Sequence, residues 1–182
     1  MHTATDLQVL FADIQPDHLP LSATNAPDTI TRSASVLARV ARLLEIPVTS
    51  SVLASSEHGN IPEIAVEHPD TCFPRLSPCA LLDDTTRKRL EANNRPILVL
   101  GGIATEIVVL HTGLEALAAG YQVHLPVDLC GGLSARTEQA ALRQLEKAGA
   151  HLTSVPSLCT GVIRDFTVSP DQDVLKEVLS LL

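Results

Sequence analysis

A short, unbroken apolar run at residues 97–100, Ile-Leu-Val-Leu, is the feature that most restricts the fold of this 182-residue chain. A strand that is apolar at every position is typical of a parallel sheet covered by helices on both faces. Gly101 and Gly102 follow the run, and an apolar helical pattern then covers residues 105–119 and ends before Gly120. The segment therefore predicts a strand, a glycine turn and a helix start, which together present side chains at the carboxyl edge of a parallel sheet.

The remainder of the chain alternates in the same way between strand-like and helix-like segments. The predicted strands are residues 7–12, 47–53, 71–73, 97–100, 121–127 and 151–155. The predicted helices are residues 29–44, 83–94, 105–119 and 135–148, followed by helical turns at residues 158–166 and 171–182. Asp28 is the predicted N-cap of the first helix, and residues 55–78, with Gly59 and four prolines, are predicted to be mostly loop.

Alternating strands and helices predict an α/β protein, a Rossmann-like three-layer α/β/α sandwich with a mainly parallel sheet. The sequence contains no internal repeat, low-complexity tract or linker. Residues 1–182 are therefore predicted to form a single domain, which is long enough to bury a sizeable core.

Composition disfavours several classes of partner. The formal net charge is −8, whereas nucleic acid is bound through basic patches. Aromatic residues make up only 2% of the chain and Trp is absent, which disfavours base-stacking platforms. No apolar run approaches the ~20 residues needed to cross a bilayer, and no basic-then-apolar signal segment opens the chain. We predict a cytoplasmic protein with no nucleic-acid or membrane partner.

The cysteines and histidines do not have the spacing of a metal site. Cys72, Cys79, Cys130 and Cys159 form no CxxC pair, and the seven histidines form no HxxxH or HxH pair. We predict four free thiols. A GxGxxG dinucleotide fingerprint is also absent, so neither a metal nor a cofactor is predicted.

Two places at the predicted sheet edge carry candidate functional groups. Asp13 follows the first predicted strand, and a carboxylate there points into the crevice where such sheets bind ligands, although strand-end aspartates also cap loops. Thr105 is the predicted N-cap of the helix after Gly102, which puts Val108 at the third helical position. Free N–H groups and the positive end of the helix dipole suit this turn to an anion or a carbonyl oxygen, although Val108 equally suits ordinary helix packing.

The turn after residues 97–100 resembles the nucleophile segment of the isochorismatase-like cysteine hydrolases, whose pattern is Gly-[Val/Ile]-x-Thr-x-x-Cys. Gly102, Ile103 and Thr105 match this pattern, and Val108 stands at the position of the nucleophilic Cys. A cysteine at a helix start has a lowered pKa, which accounts for the family's design. The resemblance implies a six-stranded hydrolase fold in which the thiol is missing.

Further motifs extend the resemblance from about residue 7 to about residue 166. Asp13 and Gln15 match the family's Asp-x-Gln, in which the Asp is the general base for the Cys. Arg75 is the nearest candidate for the family's Lys, a few residues before the Cys79-Ala-Leu segment. Because Arg is permanently charged and forks to carboxylates, Arg75 is expected to pair with Asp13 or a ligand carboxylate, or else to be a solvated loop residue. Weaker matches lie at residues 49–51, 58–63, 120–123, 128–131 and 148–150.

The resemblance defines the candidate site. Its catalytic positions are Asp13, Arg75 and Val108, and its candidate substrate-binding positions are Gln15, Cys79, Ala104, Thr105 and His111. His111 lies three residues after Val108 and shares its helix face, although a packed or surface histidine fits the pattern as well. The Asp-x-His arrangement with which some related nicotinamidases bind a metal is absent.

Three functions remain open at this point. The first is a catalytically silent family member that binds a small molecule or acts as a subunit of a homo-oligomer. The second is an active hydrolase of a small amide or ester, with Asp13 as base and either an activated water or a displaced nucleophile. The candidate nucleophiles are Cys79, Cys72, Ser77 and Cys130. The third is a purely structural subunit of an oligomer.

Overall fold

The predicted strands form one parallel sheet in the computed structural model, which describes residues 2–181. The strands are β1 (Leu7–Ala12), β2 (Val48–Leu53), β3 (Cys72–Arg75), β4 (Ile97–Gly102), β5 (Gln122–Pro126) and β6 (His151–Thr153). Their order across the sheet is β3-β2-β1-β4-β5-β6, and every neighbouring pair is parallel. The predicted six-stranded α/β/α architecture is confirmed.

The helices are α1 (Pro27–Leu43), α2 (Pro62–Glu67), α3 (Asp84–Asn93), α4 (Leu110–Ala118), α5 (Ala135–Ala148), α6 (Val155–Gly161) and α7 (Asp171–Leu179). A π-helical turn, Thr105–Val109, leads into α4. Across residues 2–181, no helix is long and apolar enough to cross a membrane.

Two predictions about the helices are wrong. Asp28 is not the N-cap of α1, because the helix starts at Pro27, two residues before its predicted start. The fixed φ of Pro27 suits the first helical position, and Ala26 is the N-cap. The segment predicted as mostly loop contains α2, which also starts at a proline and buries Ile64. The predicted turn 171–182 ends at Leu179, and Leu182 lies outside the described residues.

The two faces of the sheet carry separate apolar cores, because side chains alternate along each strand. In β1, Val9 and Phe11 belong to the core under α1, α2, α6 and α7, whereas Leu10 belongs to the core under α3, α4 and α5. The same alternation in β4 sends Val99 to the first core and Leu100 to the second. Helices therefore cover both faces, and the loops at the carboxyl edge are left to form a site.

Gly102 brings the ends of β1 and β4 into unusually close contact. A Cβ atom at this position would lie 2.0 Å from the carbonyl oxygen of Ala12, so only glycine fits. That same carbonyl oxygen accepts a hydrogen bond from the Ile103 N–H at 3.1 Å. Asp13 and the turn after β4 therefore leave the sheet side by side.

Candidate active site

Asp13 lies at the carboxyl end of β1 and is nearly buried, with 6% of its surface exposed. Its backbone is left-handed, with φ at 55°, and its N–H donates to the carbonyl oxygen of Ser51 at 2.9 Å. An Asp tolerates this backbone region better than most residues. The turn therefore directs the carboxylate into the crevice at the sheet edge, where the neighbouring strands end.

Arg75 is the last residue of β3 and forms an ion pair with Asp13. Its Nη1 donates to Asp13 Oδ1 at 2.7 Å and its Nη2 donates to Oδ2 at 2.5 Å. Nη1 also donates to Ser51 Oγ at 3.3 Å, and Nε donates to the carbonyl oxygen of Ser77 at 2.9 Å. The sequence leaves open whether Arg75 pairs with Asp13, pairs with a ligand carboxylate or is a solvated loop residue. In the structure it pairs with Asp13.

The helix start differs in detail from the prediction. Thr105 is not the N-cap, because Ala104 holds that position and the Thr105 Oγ1 instead donates to Glu138 Oε1 at 2.8 Å. Val108 is consequently the fourth residue of the π-helical turn, and its side chain is 1% exposed. A contact between residues 33 positions apart overrides the local capping preference of Thr105.

Asp13, Arg75 and Val108 meet in one cavity of about 420 Å³ at the carboxyl edge of the sheet. This volume lies within the usual range for small-molecule sites. The cavity is lined by Asp13, His18, Leu21, Leu53, Arg75, Leu76, Ser77, Pro78, Ile103, Ala104, Ile107, Val108 and Leu133. Its polar groups are concentrated at the ion pair, and most of its wall is aliphatic.

The predicted substrate-binding positions are divided between this cavity and other places. Ala104 lines the cavity, whereas Cys79 and His111 line a neighbouring depression outside it. Gln15 is buried and joins two loops: its Nε2 donates to the carbonyl oxygen of His58, and its Oε1 accepts from the Leu53 N–H. Thr105 faces Glu138, as described above.

Two residues of the site carry no clear signal in the sequence. His18 lines the cavity, and its Nδ1 is buried without a hydrogen-bond partner among residues 2–181. It lies in a loop, two residues after Pro16, where no apolar periodicity indicates which way a side chain points. Ser51 lies in the family-like segment 49–51, but its contact with the Arg75 guanidinium depends on the pairing of β2 with β3.

Burial raises the pKa of three of the four thiols. Burial raises the pKa of Cys130 and of Cys159 to about 12. Partial burial also raises the pKa of the Cys72 thiol, although the residue as a whole reaches the surface. A raised pKa leaves little thiolate at neutral pH, and thiolate is the reactive form.

Over the described residues, no cluster of three His, Cys, Asp or Glu side chains has the geometry to hold a metal ion.

Comparison with known proteins shows the family to which the chain belongs. The isochorismatase domain model matches residues 6–157. Isochorismatase domain-containing protein 2A from Mus musculus is 30% identical over 160 residues, which cover 86% of this chain and 75% of that protein. The probable hydrolase YcaC from Escherichia coli (strain K12) is 26% identical over 165 residues, covering 88% of this chain and 79% of that protein. The chain belongs to the isochorismatase domain family.

Solved structures of YcaC have the same fold. YcaC from Escherichia coli, an octameric hydrolase of unknown specificity, superposes with a TM-score of 0.90 at 23% identity, covering 99% of this chain and 89% of that one. YcaC from Pseudomonas aeruginosa, solved with hexane-2,5-diol and covalent acrylamide, also gives a TM-score of 0.90 at 23% identity, covering 98% and 92% of the two chains.

Proposed function

We propose that this isochorismatase-family protein binds a small molecule in the cavity between Asp13 and Val108 without the family's thiol chemistry. The observation that carries the proposal is Val108, which occupies the inferred nucleophile position and forms part of the cavity wall. Valine has neither a nucleophilic atom nor an acidic proton, so no covalent intermediate forms there. The cavity itself, its volume and its single polar end remain.

The state of Asp13 supports the same proposal. A general base must be within hydrogen-bond reach of the proton that it abstracts. Among the described residues, the Asp13 carboxylate accepts hydrogen bonds from Arg75 alone, so no hydroxyl or thiol of this chain is hydrogen-bonded to it. Asp13 is thereby held in an ion pair, which shapes and closes the polar end of the cavity.

The alternative, an active hydrolase with a displaced nucleophile, has less support. The Cys130 thiol is buried with a pKa raised to about 12, and the pKa of Cys72 is raised as well. Cys79 lies in the neighbouring depression. Ser77 does line the cavity, but its Oγ donates to the carbonyl oxygen of Cys79 at 2.7 Å and makes no hydrogen bond with Asp13.

We also propose that the protein is a homo-oligomer. The octameric state of Escherichia coli YcaC supports this proposal. Light scattering coupled to size exclusion tests it, and a monomer at micromolar concentration would contradict it. A cytoplasmic location and the absence of a nucleic-acid partner stay predictions.

Two measurements test the proposed function. The neutral dye N-phenyl-1-naphthylamine should gain fluorescence on binding the wild-type protein and lose that gain with Ala104→Phe, which fills the cavity. The matched control, Ala65→Phe, changes an exposed position of α2 away from the cavity and should bind the dye normally. Intact mass after incubation with amide and ester panels should show no adduct. An acyl-enzyme on any cysteine would establish the hydrolase alternative instead.

A further inference from the structure

The polar end of the cavity has no net charge. Asp13 and Arg75 carry opposite charges, and their side chains are only 8% and 2% exposed. Among the described residues that line the cavity, His18 is the one other titratable group. A charged ligand group placed here would lose its hydration without gaining a counter-ion, because each buried charge is already paired with the other. The cavity therefore selects against ions of either sign.

The Arg75 guanidinium keeps one unused hydrogen-bond donor. It has five N–H groups, and four hydrogen bonds to described residues occupy Nε, both positions on Nη1 and one position on Nη2. The remaining Nη2 N–H runs parallel to the Nε N–H in the planar group. Since Nε donates to Ser77, a residue of the cavity wall, the unused donor lies on the Ser77 side of the guanidinium.

Several aliphatic side chains of the cavity wall are open to solvent. Leu76 is 88% exposed, and Leu21, Leu133 and Ile107 are each about half exposed, although all four line the cavity. A ligand that covers these side chains removes apolar surface from water, which favours binding. The cavity thus combines an unused Arg75 donor with these exposed aliphatic side chains, which form its mouth.

We propose that the ligand is an uncharged, largely aliphatic molecule with one hydrogen-bond acceptor, such as an amide, ester or ketone carbonyl, which the unused N–H of Arg75 binds. This inference rests on the proposed function, since it takes binding in this cavity as given. Arg75 orients the carbonyl, and the aliphatic chain extends towards Leu76 and Ile107.

A set of three six-carbon probes that differ only in their head group tests the ligand class. Hexanamide, hexanoate and hexylammonium are compared at neutral pH for displacement of N-phenyl-1-naphthylamine from the wild-type protein. Hexanamide should displace the dye at a concentration at least about ten-fold lower than either ion, because the ions lose hydration without compensation.

A pair of variants tests the orientation of the ligand. Ile107→Glu places a carboxylate at the mouth and should weaken hexanamide about ten-fold while favouring hexylammonium over hexanoate. Val66→Glu, on an equally apolar but remote exposed position, should leave all three affinities unchanged.

The outcomes separate the two proposals. If an ion displaces the dye as well as hexanamide does, or better, the neutral ligand class is overturned while small-molecule binding stands. If neither the dye nor any of the three probes binds, the proposed function itself fails. If Ile107→Glu leaves hexanamide unaffected, the aliphatic chain does not reach the mouth and the inferred orientation is overturned.

Discussion

Arg75 reaches across β2 to hold both carboxylate oxygens of Asp13, at 2.7 and 2.5 Å. The two residues end β3 and follow β1, which lie on either side of β2 in the sheet. Because both side chains are almost fully buried, each charge depends on the other for compensation. The ion pair therefore contributes to the stability of the fold as well as forming part of the site.

Arg75→Met should destabilise the protein strongly, because it leaves the Asp13 carboxylate buried without a partner. We expect the free energy of unfolding, measured by urea denaturation, to fall by about 3–5 kcal/mol. Combining it with Asp13→Asn should recover part of that loss. The matched control is Arg87→Met, which breaks two exposed ion pairs, with Asp84 and Glu91, and should change the free energy of unfolding far less. Equal losses for Arg75→Met and Arg87→Met would contradict the prediction.

Val108→Cys should create an unusually acidic thiol. The helix start and the nearby Arg75 stabilise thiolate, and they oppose the effect of burial and the charge on Asp13. Adding Arg75→Lys approaches the family's Asp/Lys/Cys set. Alkylation by iodoacetamide, mapped by peptide mass, should be faster at mildly acidic pH than for Val66→Cys, an exposed thiol with an ordinary pKa of about 8.5. A normal or raised pKa in a folded Val108→Cys protein would mean that this turn is not a degenerate nucleophile site.

Gly102→Ala should be poorly tolerated, because its Cβ would overlap the carbonyl oxygen of Ala12. Backbone at that position has no flexible end that can move aside, so we expect a loss of about 3 kcal/mol or more, or failure to fold. Gly161→Ala serves as the control, since a Cβ there meets no atom within 4 Å. Thermal unfolding of the two variants should therefore diverge, and similar melting temperatures would rule out the close approach of β1 and β4.

His124 should make the protein less stable in mild acid. Burial, followed by the charges of His151 and His2, lowers the pKa of His124 from 6.5 to about 4. Above pH 6.5, the pKa of the ring in the unfolded chain, His124 is neutral in both the folded and the unfolded state, and it does not lower the free energy of unfolding. As pH falls from about 7 to about 5, the unfolded chain binds a proton that the folded chain does not, so the free energy of unfolding drops by about 2 kcal/mol.

His124→Phe should abolish this part of the pH dependence, because the replacement cannot be protonated and the Nε2 of His124 has no described hydrogen-bond partner to lose. His111→Phe, at an exposed position, should keep the wild-type slope. Urea titrations at both pH values decide the matter: an unchanged slope in His124→Phe would assign the acid sensitivity to other groups.

The alternation of strands and helices could be predicted because apolar periodicity is a local property of the sequence. The apolar run at residues 97–100 indicates a buried strand whatever lies beside it, and β4 covers Ile97–Gly102. Helix α2 escaped prediction because it occupies a proline-rich segment, and only the position of Pro62 at its first turn makes the proline compatible with a helix.

The side-chain partners within the site could not be predicted, because they are contacts between residues that lie far apart in the sequence. Thr105 has the residue type of an N-cap, yet its hydroxyl is bound by Glu138 from α5. The environment of Arg75 is fixed by Asp13, 62 residues away in the chain. His18 lies in the loop that follows the left-handed residue Asp13. Each of these requires the sheet order, which the sequence pattern alone leaves undetermined.

The burial of Val108 has a consequence for how this protein changes over evolutionary time. The side chain packs in the apolar core beneath α3, α4 and α5 while it borders the cavity. Cysteine behaves as a small apolar residue of similar volume, so exchanging the two costs folding little. Selection for a stable fold therefore does not distinguish valine from cysteine at position 108. A lineage can give up a reactive sulfur here, or regain one, in a single substitution that leaves the scaffold intact.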